Sequence, residues 1–209
     1  KDASFSLSSG KNQRSALQIF FDYIKLGFEH ILDINAYDHL LFLVAMSLPF
    51  VFKQSRLLLL LVTAFTIGHT LSLWAASAGI IRFSSNWIEF LIPMTILLTA
   101  LHTLYWNNSL ERKPSLPFFV LGGFFGIIHG LGFSGYFSMV FPQKSIGFPL
   151  LYFTLGIELA QLLVVAFVVV LNSILSNIFR VSKRDRLLVG SSIIIGILVP
   201  ILITSTKAL

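Results

Sequence analysis

Leu57–Ile81 reads LLLLLVTAFTIGHTLSLWAASAGII and holds no Asp, Glu, Lys or Arg. A helix needs about 20 predominantly apolar residues to cross a hydrocarbon core of roughly 30 Å, so this run predicts a transmembrane span. Its one histidine, His69, lies near the middle, with Thr66 three residues before it and Ser72 three after. That spacing puts all three on one helical face. A charged group at bilayer depth costs roughly 2.5–3.5 kcal/mol even on the most lenient scale, so titratable residues there face one another, a cavity or an ion. A lone histidine is satisfied by a hydrogen bond between helices. Companions on other spans decide between the two readings.

Working outward, comparable apolar runs occur at Asp38–Phe52, Trp87–Trp106, Pro117–Phe141, Phe148–Phe179 and Leu187–Ser205. The first is short and is expected to extend upstream through Ala36 and Tyr37. Ahead of it, Asp22, Lys25, Glu29 and Asp33 recur every three or four residues through Ala16–Leu32. This is an amphipathic helix, lying at the interface or partly inserted. The expected fold is all-α: a polytopic transmembrane bundle of about six or seven helices preceded by that amphipathic helix. A flexible polar leader, 1–14, would precede a single membrane domain, 15–209. No repeat at a fixed period stands out.

Composition agrees. Of 209 residues 56% are hydrophobic and only 11% charged, with 21 Phe, whereas soluble domains carry about 25% charged residues. The net charge of +6 sits in short loops, which fits positive-inside topology and argues against nucleic acid as a partner. Lys53, Arg56, Arg112, Lys113, Arg180, Lys183, Arg184 and Arg186 fall on odd-numbered loops, with little beyond Arg82 and Lys144 on the even ones. The odd loops are therefore expected in the cytoplasm, and the N-terminus outside. A removed signal peptide ahead of Lys1 would agree with this. Trp74, Trp87 and Trp106 fall toward span ends, as interfacial anchors. Cysteine is absent, so any metal would be held by nitrogen and oxygen.

The companions of His69 are several. His30, Asp33, Asp38 and His39 gather two imidazoles and two carboxylates in one short stretch, and a helix break at Ile34-Asn35-Ala36 would fold His30 back over Asp38-His39. His129 lies mid-span on a helix whose Gly122, Gly126 and Gly130 form a small-residue stripe. Glu158 lies mid-span with Thr154 and Gln161 on its face; Glu89 opens the third span. Imidazole and carboxylate together suit Ni, Co or Zn about equally. The expected metal site is His30, Asp38, His39, His69, His129 and Glu158, with Asp33, Glu89, Gln161, Thr66 and Thr154 in support. His102 stands apart, near the inner end of its span. No catalytic residue is assigned, and no Walker, dinucleotide, nucleophile-elbow or zincin motif occurs.

The stretches GFEHILDINAYDHLLFLVAMSL, FTIGHTLSL, GIIHGLGFSG and LGIELAQ, with the span holding Glu89 and Thr95, resemble the HupE/UreJ family of bacterial membrane proteins. The resemblance runs from about Gly27 to Gln161. It implies a bundle of six or seven spans in a bacterial inner membrane and a nickel or cobalt permease, with accessory metal-delivery proteins or a homo-oligomer among its partners. It also implies His30, Asp38, His39, His69, His129 and Glu158 as site residues. One departure is visible: the family's first His precedes the Asp-His pair by about five or six residues, whereas seven separate His30 from Asp38 here.

Three functions follow. The first is a divalent transition-metal permease. The second is a membrane-embedded zinc-type hydrolase with Glu158 or Glu89 as general base. The third is a structural or sensor protein whose polar residues only lock helices together.

Overall fold

The computed structural model of the chain describes residues 15–106, 116–140, 147–207 and 209. The expected leader 1–14 and the loop residues Arg112, Lys113 and Lys144 lie outside them. Seven helices follow in order: α1 (Ala16–Leu32), α2 (Asp38–Ser47), α3 (Ser55–Ser77), α4 (Ser85–Trp106), α5 (Leu116–Val140), α6 (Gly147–Asn177) and α7 (Lys183–Lys207). No strand occurs among the described residues. The protein is an all-α membrane bundle. Helices at Phe52–Ser77, Ser85–Leu104, Gly147–Asn177 and Lys183–Lys207 are each long and apolar enough to cross a bilayer.

The first span differs from its expected form. At 10 residues, α2 rises only about 15 Å, half the hydrocarbon thickness. It stops before Pro49, whose missing amide hydrogen leaves the Ala45 carbonyl without its helical donor. The Thr103 hydroxyl of α4 donates to that carbonyl instead, at 3.2 Å. Asn172 of α6 closes the same end, its Nδ2 donating to the Leu48 and Phe50 carbonyls at 3.2 and 3.3 Å.

Ahead of this short span lies the amphipathic helix α1. Its start is fixed by a capping box in which Ser15 and Gln18 exchange side-chain and backbone hydrogen bonds. Its charged stripe faces outward, with Lys25 and Glu29 3.6 Å apart. The opposite face, with Gly27 and Ile31 buried, packs on α6. Ile24 and Gly27 meet Gly156 and Phe153, and further along the chain Leu48 meets Asn172. Thus α1 and α2 follow α6 in the same direction, as two pieces of one path joined by the 3-10 turn Ile34–Ala36. Backbone that leaves the helix at this depth is tolerated where it lines a cavity or is buried in protein.

Two close helix pairs organise the rest. A Cβ on Gly27 would overlap the Phe153 carbonyl, and one on Gly156 would overlap that of Ile24. Likewise Gly68 faces the Gly123 carbonyl and Gly126 that of Phe65. Lipid is as apolar as leucine, so helix association in a membrane draws on this backbone-to-backbone packing. Along the second pair, contacts advance together from Leu61–Gly122 to Phe65–Gly126 and His69–Gly130, which makes α3 and α5 parallel. By contrast α3 and α6 are antiparallel, with Thr70 opposite Thr154 and Thr66 opposite Glu158 and Gln161.

These pairings reveal a repeat that no fixed period shows. Phe65-Thr66-Ile67-Gly68-His69-Thr70-Leu71 of α3 matches Phe153-Thr154-Leu155-Gly156-Ile157-Glu158-Leu159 of α6. Gly27 precedes His30 by three residues, as Gly126 precedes His129. Matched helices run in opposite senses, and each Gly-x-x-His helix packs on the Phe-Thr-x-Gly helix of the other half. This is the pattern of an inverted-topology repeat. The first half contains an extra element, the α1–α2 break.

Candidate metal site

The pairings carry four histidines into one volume. His30 comes from the last turn of α1, His39 from the first turn of α2, His69 from the middle of α3 and His129 from α5. His39, His69 and His129 are buried, at 6%, 0% and 1% exposure. The break after α1 is what turns His30 onto His39, as the sequence led us to expect: their ring centroids lie 4.6 Å apart. His30–His69 and His39–His69 stand at 5.8 and 5.6 Å, and His39–His129 at 5.2 Å.

Ligand nitrogens of His30, His39 and His69 all lie within 4.8 Å of one another. Nitrogens bound at about 2.0–2.1 Å to one tetrahedral ion stand about 3.4 Å apart, so small rotations would close the group on a metal. The hydrogen-bond accounting points the same way. His30 Nε2, both nitrogens of His39, both of His69 and Nδ1 of His129 are buried without a hydrogen-bond partner. Leaving one buried polar atom unpaired costs about 1–3 kcal/mol, and six such nitrogens belong to these four rings. Neutral imidazole presents a lone pair as well as an N–H, so these nitrogens fit a cation of the Ni, Co or Zn type.

Aromatic rings wall the cluster. Phe133 lies 3.9 Å from the His30 ring, Phe42 5.2 Å from His129 and Phe65 5.3 Å from His129. Phe42 and Phe65 stack on each other at 4.7 Å.

The expected carboxylates are arranged otherwise. Asp38 is half-buried and lines a cavity of about 750 Å³ with Tyr37, Glu89, Pro93 and Thr204. The cavity neighbours the cluster through the chain link from Asp38 to His39, and none of the four histidines lines it. Glu89 is exposed and accepts a hydrogen bond from Ser85 Oγ at 2.9 Å. Asp33 is exposed at the end of α1. Glu158 faces α3 at a different level: its Oε1 accepts from Thr63 Oγ1 at 2.8 Å, and its Oε2 accepts from Thr66 Oγ1. Gln161 Oε1 lies 2.7 Å from the same Thr66 hydroxyl, and Thr154 pairs with Thr70 at 3.0 Å. Thus Glu158, Gln161, Thr66 and Thr154 form a polar seam between α3 and α6, and the histidine group holds no carboxylate among the described residues. His102 is exposed, apart from the cluster.

Sequence reading passed over Thr63, Thr70 and Thr95 as site residues. Threonines every three or four residues along α3 (Thr63, Thr66, Thr70) were the available signal for the first two. Thr95 entered the sequence reading only as part of the family resemblance, because its partner His129 is on another helix, at 3.0 Å.

A family model described as HupE / UreJ protein matches residues 7–205, nearly the whole chain. No curated protein and no solved structure matches.

Proposed function

The chain belongs to the HupE/UreJ family, and from that membership we propose that it is a permease for a divalent transition-metal ion of the nickel or cobalt type. The observation that carries the reading is the group of six buried, unpartnered imidazole nitrogens on four helices. The ion is cargo. Asp38 and Glu89 attract it at the cavity they line, where two carboxylates favour a divalent cation over an anion. His39, one residue from Asp38, takes it into the cluster with His30 and His69, and His129 provides the next nitrogen.

A cluster of neutral ligands suits passage. Nitrogen donors replace part of the hydration shell, yet no buried carboxylate adds the Coulombic attraction that would hold a dication in a low-dielectric interior. Conduction requires binding strong enough to enter and weak enough to leave. The inverted halves offer a means of alternating access about a fixed site at their junction.

Flux tests this reading. Purified protein in liposomes should take up Ni²⁺ or Co²⁺ faster than protein-free liposomes, while Mg²⁺, a hard ion that prefers oxygen, should not be carried. Liposomes with the protein that show no transition-metal flux above the lipid background would overturn the permease.

A further inference from the structure

We infer that Thr95 is a positioning residue that fixes the tautomer of His129, so that His129 meets the metal through Nδ1. The inference rests on the metal-site reading above and concerns how one of its ligands is prepared.

A proton count carries it. The Thr95 hydroxyl has one proton. Its Oγ1 lies 2.7 Å from the Ile92 carbonyl oxygen and 3.0 Å from His129 Nε2. The carbonyl can only accept, so the Thr95 proton goes to Ile92. Were it turned toward His129 instead, two oxygens would face each other at 2.7 Å with no hydrogen between them. The remaining contact is then an N–H of His129 donating to Thr95 Oγ1. A neutral imidazole carries a single N–H, so placing it on Nε2 leaves the lone pair on Nδ1. His129 Nδ1 is buried and has no hydrogen-bond partner, which is the condition of a ligand atom.

The surroundings hold this arrangement in place. Thr95 is 3% exposed and His129 1%, so water does not compete for either bond. The ring packs against the stacked pair Phe42 and Phe65, at 5.2 and 5.3 Å, while Gly126 and Gly130 bring its helix against the α3 backbone. Thr95 comes from α4, two residues after Pro93. A metal-bound histidine that donates its other N–H to an oxygen is oriented and made more basic by that bond. Loss of such an outer partner costs about 10- to 100-fold in metal affinity.

The test uses full-length protein with ¹⁵N-labelled histidine, its His129 signals identified by comparison with His129→Ala. Nitrogen NMR of the metal-free protein should show His129 protonated at Nε2. Thr95→Val keeps the shape and removes the oxygen; it should leave His129 as a mixture of tautomers and weaken Ni²⁺ binding about 10- to 100-fold. Thr95→Ser should restore both. A wild-type His129 protonated at Nδ1 overturns the inference, whatever the protein binds. So does a Thr95→Val protein that keeps the Nε2–H tautomer, or one whose Ni²⁺ affinity is unchanged although the tautomer shifts. The tautomer is read without metal, so a wild-type protein with the expected tautomer and no Ni²⁺ binding would remove the permease reading and with it the ligand role. Those two failures are distinguishable.

Discussion

At the scale of single residues, the five histidines divide by their surroundings. His30, His39, His69 and His129 share one buried cluster, whereas His102 is exposed on α4. His39 touches each of the other three rings, so His39→Ala should weaken Ni²⁺ binding by more than the roughly 10- to 100-fold expected for losing an outer-shell partner. His102→Ala should leave binding unchanged. Isothermal titration of both proteins in detergent distinguishes them, and equal affinity for the two would place the site elsewhere. Glu158 gives the opposite expectation. Its two oxygens are taken by Thr63 and Thr66, so Glu158→Gln should retain Ni²⁺ binding. It should lower stability by about 1 kcal/mol, since the amide keeps one accepting oxygen and leaves the other threonine hydroxyl without its acceptor. Thermal unfolding beside the titration measures both.

At the scale of helices, glycine position decides how closely the histidines approach. Gly126 lies against the Phe65 carbonyl, three residues before His129, whereas a Cβ on Gly135 of the same helix would meet nothing within 4 Å. Gly126→Ala should therefore separate α3 from α5 at a cost of about 1–3 kcal/mol, the usual range for overpacking, and move His129 from the cluster. Gly135→Ala should be neutral or stabilise by up to about 1 kcal/mol through helix propensity. Melting temperature and Ni²⁺ affinity should fall together for the first and hold for the second. The same element scale explains the broken first span. The sequence reading carried the span past Pro49 to Phe52, whereas α2 stops before that proline; the rescue of the freed Ala45 carbonyl by Thr103, and the capping by Asn172, depend on α4 and α6.

At the scale of the whole molecule, the loop basic residues and the fold together make a statement about sidedness. The start of α3, with Lys53 and Arg56, and the turn from α6 to α7, with Arg180, Lys183 and Arg184, lie at one end of the bundle, since α3 and α6 are antiparallel. By the positive-inside rule that end is expected in the cytoplasm. The chain has no native cysteine, so single substitutions report without background. Lys53→Cys and Arg180→Cys should be shielded from a membrane-impermeant thiol reagent applied outside intact cells, and Ser84→Cys should react. Labelling in the reverse pattern would invert the protein in the membrane and put the cavity lined by Asp38 and Glu89 nearer the cytoplasmic side.

Apolar run length, sparse charge and the histidines within those runs were enough to read the all-α membrane bundle and to single out the four histidines that lie together. They did not show that Glu158, expected with them, would turn to threonines instead. Run length, charge and spacing are local quantities: a residue's hydrophobicity, and its neighbours three and four places away, act before any helix meets another. Which titratable groups meet was decided by the tertiary structure. His30 reached the cluster because α1 joins α2 as one broken path along α6, and Glu158 turned to threonines because α3 and α6 are antiparallel there. The inverted repeat stayed hidden for the same reason. Its halves are related by packing between opposite-running helices, a relation that spacing along a single chain does not express.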